Sequence, residues 1–392
     1  MFEIISLKNG LDNVEGFFSQ GINAGLKKDE NDLAFIRSDT LCDISAVFTT
    51  NRFQAAPIKH FQKYPKEFKT DFILINSKNA NAMTGEKGIE DIEEILNEIE
   101  IKTTNPLMSS TGVIGYRLPK DKIIQACKKF DFDTKDSDST AKAILTTDTF
   151  KKEICFQVKL SDDKSFHIAA ICKGAGMINP AMATMLCFIT TDANIPKSDM
   201  DTLLKDAVNN SFNTISVDGD TSTNDTVMLL ANKKSGVYNK EAFKEALGIL
   251  TKELSLQILK DGEGSTKVVA FEVKNAKTKE DAKKAATALS NSLLVKTALF
   301  GEDPNWGRIA STIGASRVEA DERQLVISYN DVTVYDKGKN LMDNEVEQKA
   351  FEVLKRESFK IVCDLNMGKY AYTAYGCDLS YEYVKINADY RT

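Results

Sequence analysis

The strongest constraint in this chain is the passage from a glycine turn into a continuous apolar run. Residues 172–195 read C-K-G-A-G-M-I-N-P-A-M-A-T-M-L-C-F-I-T-T-D-A-N-I. Gly174 and Gly176 bracket Ala175 and open backbone angles that are closed to other residues. Pro180 fixes one φ angle. Ala181 and Ala183 flank Met182, and Thr184 follows. From Met185 to Thr190 the run is apolar and β-compatible. The chain must therefore turn within small residues and then enter a buried segment, with Thr184 at the junction.

A threonine so placed suits a self-cleaving amide. Its hydroxyl can attack the carbonyl of Ala183, the acyl group shifts from nitrogen to oxygen, and water hydrolyses the ester. The new chain then begins with Thr184 and carries a hydroxyl beside a free α-amine. An α-amine has an unperturbed pKa of about 7.7–8.0 and can serve as general base for its own hydroxyl. Taken alone, A-T-M-L is an ordinary buried strand or helix with threonine as filler.

Composition narrows the chemistry. The 392 residues suffice for two or three domains with sizeable cores. A hydrophobic share of 42% and a charged share of 28% fit a globular protein. A formal charge of −6 argues against a general nucleic-acid binder, yet leaves room for a local basic pocket for anionic substrates, with Lys173 as its candidate. Seven cysteines without a C-x-x-C pair fit a reducing compartment. The N-terminus has no signal or transit pattern, and no apolar run nears the roughly 20 residues of a bilayer span, so a cytoplasmic location is expected. The two histidines, His60 and His167, lack metal-ligand partners at helical or turn spacing and read as structural. Zinc chemistry and a Ser-His-Asp triad both lean on histidine, whereas an N-terminal threonine does not.

Along the chain, residues 13–40 read as short strands and turns, 44–58 as a β-rich stretch and turn, and 71–76 as a buried strand ending in the turn-forming S-K-N-A-N-A-M-T-G. Residues 87–101, 119–130 and 136–147 read as helices. Residues 153–160 and 166–172 read as a strand pair that runs into Lys173. The M-S-S-T-G-V-I-G stretch holds a Thr111-Gly112 pair, by itself an ordinary turn. After the apolar run, 197–213 reads as a helix. S-V-D-G-D-T-S-T-N-D-T at 216–226 hints at a calcium loop, but Thr223 stands where glycine is needed and Leu229 where the closing glutamate belongs, so it reads as a polar loop. Residues 239–260 form a long amphipathic helix. D-G-E-G-S-T-K is no P-loop, since Val268 follows Lys267 where Ser or Thr is required, and Glu263 within it reads as a solvated carboxylate. Gly174–Gly176 is no dinucleotide fingerprint, because Asn179 takes the third glycine position. Beyond lie a strand at 268–273, a helix at 278–293, a strand at 294–300 and a turn-rich loop at 301–309 with the single Trp306. A hairpin at 325–335 turning at Asn330-Asp331, a helix at 344–358 and a strand at 359–365 follow.

The block K-G-A-G-M-I-N-P-A-M-A-T-M-L closely resembles the nucleophile segment of the glutamate N-acetyltransferase / ornithine acetyltransferase family. The stretches at 44–58, 71–85, 108–115, 216–226, G-E-G-S, G-E-D-P-N-W-G-R-I and the ending G-C-D-L-S-Y-E-Y-V-K-I-N-A-D-Y-R-T resemble the same family. The resemblance runs from residue 16 to residue 392. Two positions depart from it: Lys78 stands where glycine is usual, and Tyr375 where tryptophan is usual.

The resemblance implies an α/β sandwich formed jointly by two cleavage products, with N-terminal-nucleophile chemistry but not that topology. The cut falls between Ala183 and Thr184, giving chains 1–183 and 184–392 that assemble as an α2β2 heterotetramer. The second chain would hold a smaller α/β subdomain at about 239–345 and a substrate-site tail. The implied activity moves the acetyl group of N-acetylornithine to glutamate through an ester on Thr184, in arginine biosynthesis. Thr111 and Gly112 would form the oxyanion hole. Lys173 would bind a substrate carboxylate, Glu263 would engage the ornithine amines or relay a proton, and Asn387 and Thr392 would contact substrate. No metal or tightly held cofactor is implied, and acetyl-CoA stays open as a co-substrate. A self-processed aminopeptidase or amidase, and an uncleaved amino-acid-binding protein, are the alternatives.

Overall fold

The structure, a computed structural model, describes residues 2–161, 163–179 and 185–389. Ala183, Thr184 and Thr392 lie outside the described residues. Before the glycine turn the chain forms β1 (Glu3–Leu7), β2 (Phe17–Ile22), β3 (Leu33–Phe48), α1 (Ala56–Phe61), β4 (Lys69–Asn76) and α2 (Gly85–Asn97). It continues through β5 (Leu107–Ser110), α3 (Lys120–Cys127), α4 (Ser137–Ala143), β6 (Lys152–Ser161) and β7 (Lys164–Lys173). After the turn come β8 (Leu186–Thr191), α5 (Lys197–Asn210), β9 (Ile215–Ser216), β10 (Thr226–Ala231), α6 (Lys240–Lys260), β11 (Val268–Ala276) and α7 (Lys279–Asn291). The chain then forms α8 (Leu293–Phe300), α9 (Trp306–Ala315), β12 (Val326–Tyr329), β13 (Val332–Asp336) and β14 (Lys339–Asn340). It ends with α10 (Asn344–Leu354), β15 (Ser358–Asp364), β16 (Tyr370–Cys377) and α11 (Tyr381–Asp389).

Nine described strands form one mixed sheet in the order β1-β6-β7-β8-β10-β3-β4-β5, with β2 also paired to β3. Every residue of β8 and β10 is buried. Helices cover both faces of these central strands, which explains their unbroken apolar runs. Along β8, Cys187 and Ile189 join the core beneath α5 and α6, while Leu186 and Phe188 join the opposite core. The antiparallel β7–β8 pair sets Lys173 opposite Leu186, so residues 174–185 form the connection between two neighbouring strands. The expected α/β sandwich is present. Strands from both sides of the Ala183–Thr184 bond build its first sheet.

Seven described strands form the second sheet, in the order β14-β13-β12-β15-β11-β16-β9. Helices α7, α9 and α10 bury Ala285, Leu289, Ile313 and Val353 against it. The α6 helix packs Phe243, Leu247, Leu250 and Leu254 into the core of the first sheet. No described helix is long and apolar enough to cross a membrane.

Two local expectations are overturned. Residues 294–300 are helical, as α8, and not a strand. The Ser292 side chain accepts a hydrogen bond from Val295 N, capping the helix, and Val295, Ala298 and Leu299 bury one face at helical spacing. Trp306 does not lie in a loop but opens α9, where the Asn305 side chain accepts from Arg308 N. Its ring stacks on Tyr335 at 4.8 Å.

Candidate active site

Lys173 ends β7, and the turn that follows is held from two sides. Asp218 accepts from Met177 N at 2.6 Å and from Ile178 N at 2.9 Å, and Ile178 O accepts from Val217 N at 2.8 Å. The left-handed residue here is Met177, with φ of 59°, a costly angle for a non-glycine. Gly176 serves a different purpose from the one its type suggested: a Cβ there would sit about 2.4 Å from the Glu263 carboxyl. Its lack of a side chain is what admits Glu263. The Glu263 N–H donates to Ala175 O at 2.9 Å, pinning the glutamate to the same turn.

A cavity of about 160 Å3 opens beside this turn. It is smaller than the roughly 300–1,000 Å3 typical of drug-sized ligands, which suits a single small amino acid. Five expected site residues line it: Thr111, Gly112, Lys173, Glu263 and Asn387. Neither histidine does. Thr184 and Thr392 fall outside the described residues, but Met185, bonded to Thr184, is placed. Its N–H donates to Asp225 Oδ1 at 3.0 Å, and its carbonyl accepts from Thr226 N.

Thr111 and Gly112 follow directly on β5. Gly112 has φ of 131°, and a Cβ there would lie about 2.2 Å from the Lys78 carbonyl carbon. Only glycine fits at this point of chain approach. The flanking amides are committed, Thr111 N to Asn76 O and Val113 N to Lys78 O. Lys78, where the family pattern has glycine, itself adopts φ of 74°. The lysine thus takes the left-handed backbone that glycine would take.

More of the lining comes from residues to which the sequence assigned no role. Asp218, Asp220, Ser222, Thr223 and Asn224, all from the loop read only as polar, line the cavity. Asn224 donates to Ser110 O at 2.8 Å and to Ala80 O at 2.6 Å, tying this loop to the strand that carries Thr111. A signal was present: eleven residues rich in Asp, Ser, Thr and Asn lie between buried segments, a poor composition for an idle connection. The α11 helix adds Tyr383 and Asn387. Asn387 Nδ2 donates to Glu263 Oε2 at 2.7 Å, orienting the carboxylate.

The electrostatics are divided. Lys173 is only 2% exposed. Burial would raise the Asp148 carboxyl, but the Lys173 and Lys152 charges outweigh it, and with hydrogen bonds from Lys152 and Gly174 they hold it down at about 2. Asp225 goes the other way: burial pushes its carboxyl well above the carboxylate range, despite the bond from Met185 N and the charge of Lys173. Its Oδ2 has no hydrogen-bond partner among the described residues. Burial likewise raises Asp218 and the Tyr383 phenol. The cavity lining therefore combines a cation, Lys173, with the carboxyls of Asp218, Asp220 and Glu263, a mixture that suits a zwitterionic ligand. No described group of three or more His, Cys, Asp or Glu could hold a metal ion.

The ArgJ family profile matches residues 18–392. The arginine biosynthesis bifunctional protein ArgJ of Wolinella succinogenes is 57% identical over 396 residues, covering 100% of both chains. The protein of that name from Caldanaerobacter subterraneus is 43% identical, covering 96% of this chain and 97% of its own. A crystal structure of the arginine biosynthesis bifunctional protein from Bacillus halodurans is 36% identical, with a TM-score of 0.49, over 52% of this chain and 98% of the solved one. The ornithine acetyltransferase of Mycobacterium tuberculosis, solved with ornithine, is 26% identical, with a TM-score of 0.40, over 47% of this chain and 100% of that one. On the match from residue 18 to the C-terminus and the full-length identity to these relatives, the chain belongs to the ArgJ family.

Proposed function

We propose that this protein cuts itself between Ala183 and Thr184 and then carries acetyl groups on Thr184 from N-acetylornithine to glutamate. Family membership makes it an arginine-biosynthesis acetyltransferase. The observation that carries the finer reading is the convergence of Thr111, Gly112, Lys173, Glu263 and Asn387 on one small cavity, at the end of the strand pair whose connection contains Thr184.

In this reading the Thr184 α-amine takes the hydroxyl proton as the oxygen attacks the acetyl carbonyl. The Thr111 hydroxyl and Gly112 N–H receive the developing oxyanion, a donor effect typically worth about 2.7–4 kcal/mol each on the barrier. The C–N bond breaks, the amine nitrogen takes the proton, and ornithine leaves. The glutamate α-amine then attacks the ester and restores the hydroxyl. Lys173 holds the α-carboxylate of either amino acid as a point charge. Glu263, oriented by Asn387, faces the cationic side chain of ornithine, and Thr392 adds a further contact. Acetyl-CoA would load the same threonine. The two chains stay together as an α2β2 assembly in the cytoplasm, with no metal or tightly held cofactor.

Initial rates at varied N-acetylornithine and glutamate test the scheme. Parallel double-reciprocal lines are expected, since ornithine must leave before glutamate enters, and Thr184→Ala should be inactive and remain one chain. Intersecting lines would contradict an acetyl-enzyme, and transfer to water alone would favour the amidase reading.

A further inference from the structure

We infer that the buried chain Asp148–Lys152–Asp261 is a positioning strut that sets both the spacing and the charge balance between Lys173 and Glu263. The inference rests on the proposed roles of those two residues in binding an amino acid.

The side chains of Asp148 and Lys152 are 0% exposed, and that of Asp261 is 1% exposed. Lys152 Nζ donates to Asp148 Oδ1 at 2.8 Å and to Asp261 Oδ2 at 2.5 Å. Asp148 Oδ1 also accepts from Gly174 N at 2.7 Å, the amide directly after Lys173. Asp261 is the C-cap of α6, two residues before Glu263, and accepts from Thr149 N at 3.1 Å. One lysine therefore joins the segment bearing the cavity's cation to the segment bearing its carboxylate. Thr146 and Thr147, just before Asp148, line the cavity themselves.

Stability alone does not account for this chain. Removing three ionic groups from water costs more than their attraction often returns, and apolar replacements of buried ion pairs are frequently neutral or stabilising. What apolar groups could not supply is a fixed negative charge beside a buried lysine. Lys173 is only 2% exposed, and a charge so buried calls for an opposite charge beside it, which Asp148, held at about 2, supplies. Asp225, the cavity-lining Asp218, Asp220, Glu263 and Tyr383, and Lys152 on Asp148 are further charged or titratable groups near Lys173, and burial raises Asp225, Asp218 and Tyr383. Among the described residues, Asp148 is the wholly buried carboxylate bonded to the amide that follows Lys173.

Asp148→Asn removes the charge and keeps an acceptor for Gly174. With N-acetylornithine the KM should rise about tenfold with a smaller change in kcat. A donor without the α-carboxylate, N-acetyl-1,4-diaminobutane, should keep the same kcat/KM in wild type and variant. A wild-type KM for N-acetylornithine, or an equal loss of kcat/KM with both donors, would overturn the inference. If Asp148→Asn does not fold, Asp148→Glu serves, since it keeps the charge but displaces the turn. A raised KM for N-acetylornithine is then expected, and wild-type KM would overturn the strut. Lys173→Met separates the layers. If it leaves KM unchanged, the assigned role of Lys173 fails. If it raises KM while Asp148→Asn does not, only the strut fails.

Discussion

Asp225 and Asp148 are both buried carboxyls near Lys173, yet their surroundings drive them in opposite directions. Asp148 is held at about 2, so it adds stability above the unfolded carboxylate value, roughly 3.9, and loses it as pH falls toward 2. Asp225 has its folded value raised, so its contribution is present below the unfolded value and lost as pH rises. At neutral and alkaline pH Asp225 therefore costs stability. Asp225→Asn, which can still accept from Met185 N, should raise Tm at pH 8 by about 1 °C or more, the scale of ~1 kcal/mol in a chain of this length, and change little at pH 4. Equal Tm differences at the two pH values would show that Asp225 is not titrating against its burial. None of this was readable from D-T-S-T-N-D-T, because which aspartate is buried depends on strand β10 entering the core at Thr226. Lys173 stood out in the sequence as a lone lysine beside glycines, and the structure sets it in the cavity lining.

Among the elements, the central strands and long helices were legible in the sequence and several short ones were not. β4, β6, β7, α5 and α6 have apolar patterns long enough to carry one period. The L-L-V-K-T-A-L-F stretch is eight residues of mostly apolar character, which periodicity alone cannot divide between strand and helix. What decides is Ser292 as an N-cap. The α11 helix has no buried residue, so it leaves no apolar stripe to read. Its place is fixed by Gly264, where a Cβ would lie about 2.6 Å from Tyr383 N, and by the bond from Asn387 to Glu263. Gly176→Ala tests the contact between the turn and Glu263. The added methyl must push the carboxylate away, so kcat/KM for N-acetylornithine should fall about tenfold or more while cleavage at Thr184 continues. Unchanged kcat/KM would remove Glu263 from substrate binding.

At the scale of the molecule, the first sheet draws β1–β7 from one side of the Ala183–Thr184 bond and β8 and β10 from the other. The β7–β8 ladder alone pairs six residues, from Ile168 with Thr191 to Lys173 with Leu186. A cut in the connection would leave that ladder and its shared core intact, so the products should remain one folded body. The glycine turn was legible in the sequence as a break between two elements, and the structure places it between β7 and β8. The wall formed by Asp218 to Asn224 was not legible, because it exists only once the loop after β9 is folded over Thr111. Intact mass spectrometry after denaturation tests the account most directly, on enzyme incubated with N-acetylornithine and no glutamate. The account predicts two chains, residues 1–183 and 184–392, with the second beginning at Thr184, one acetyl group heavier, and returning to its unmodified mass when glutamate is added. An active enzyme of one uncut chain, or a second chain that never carries acetyl, would contradict it.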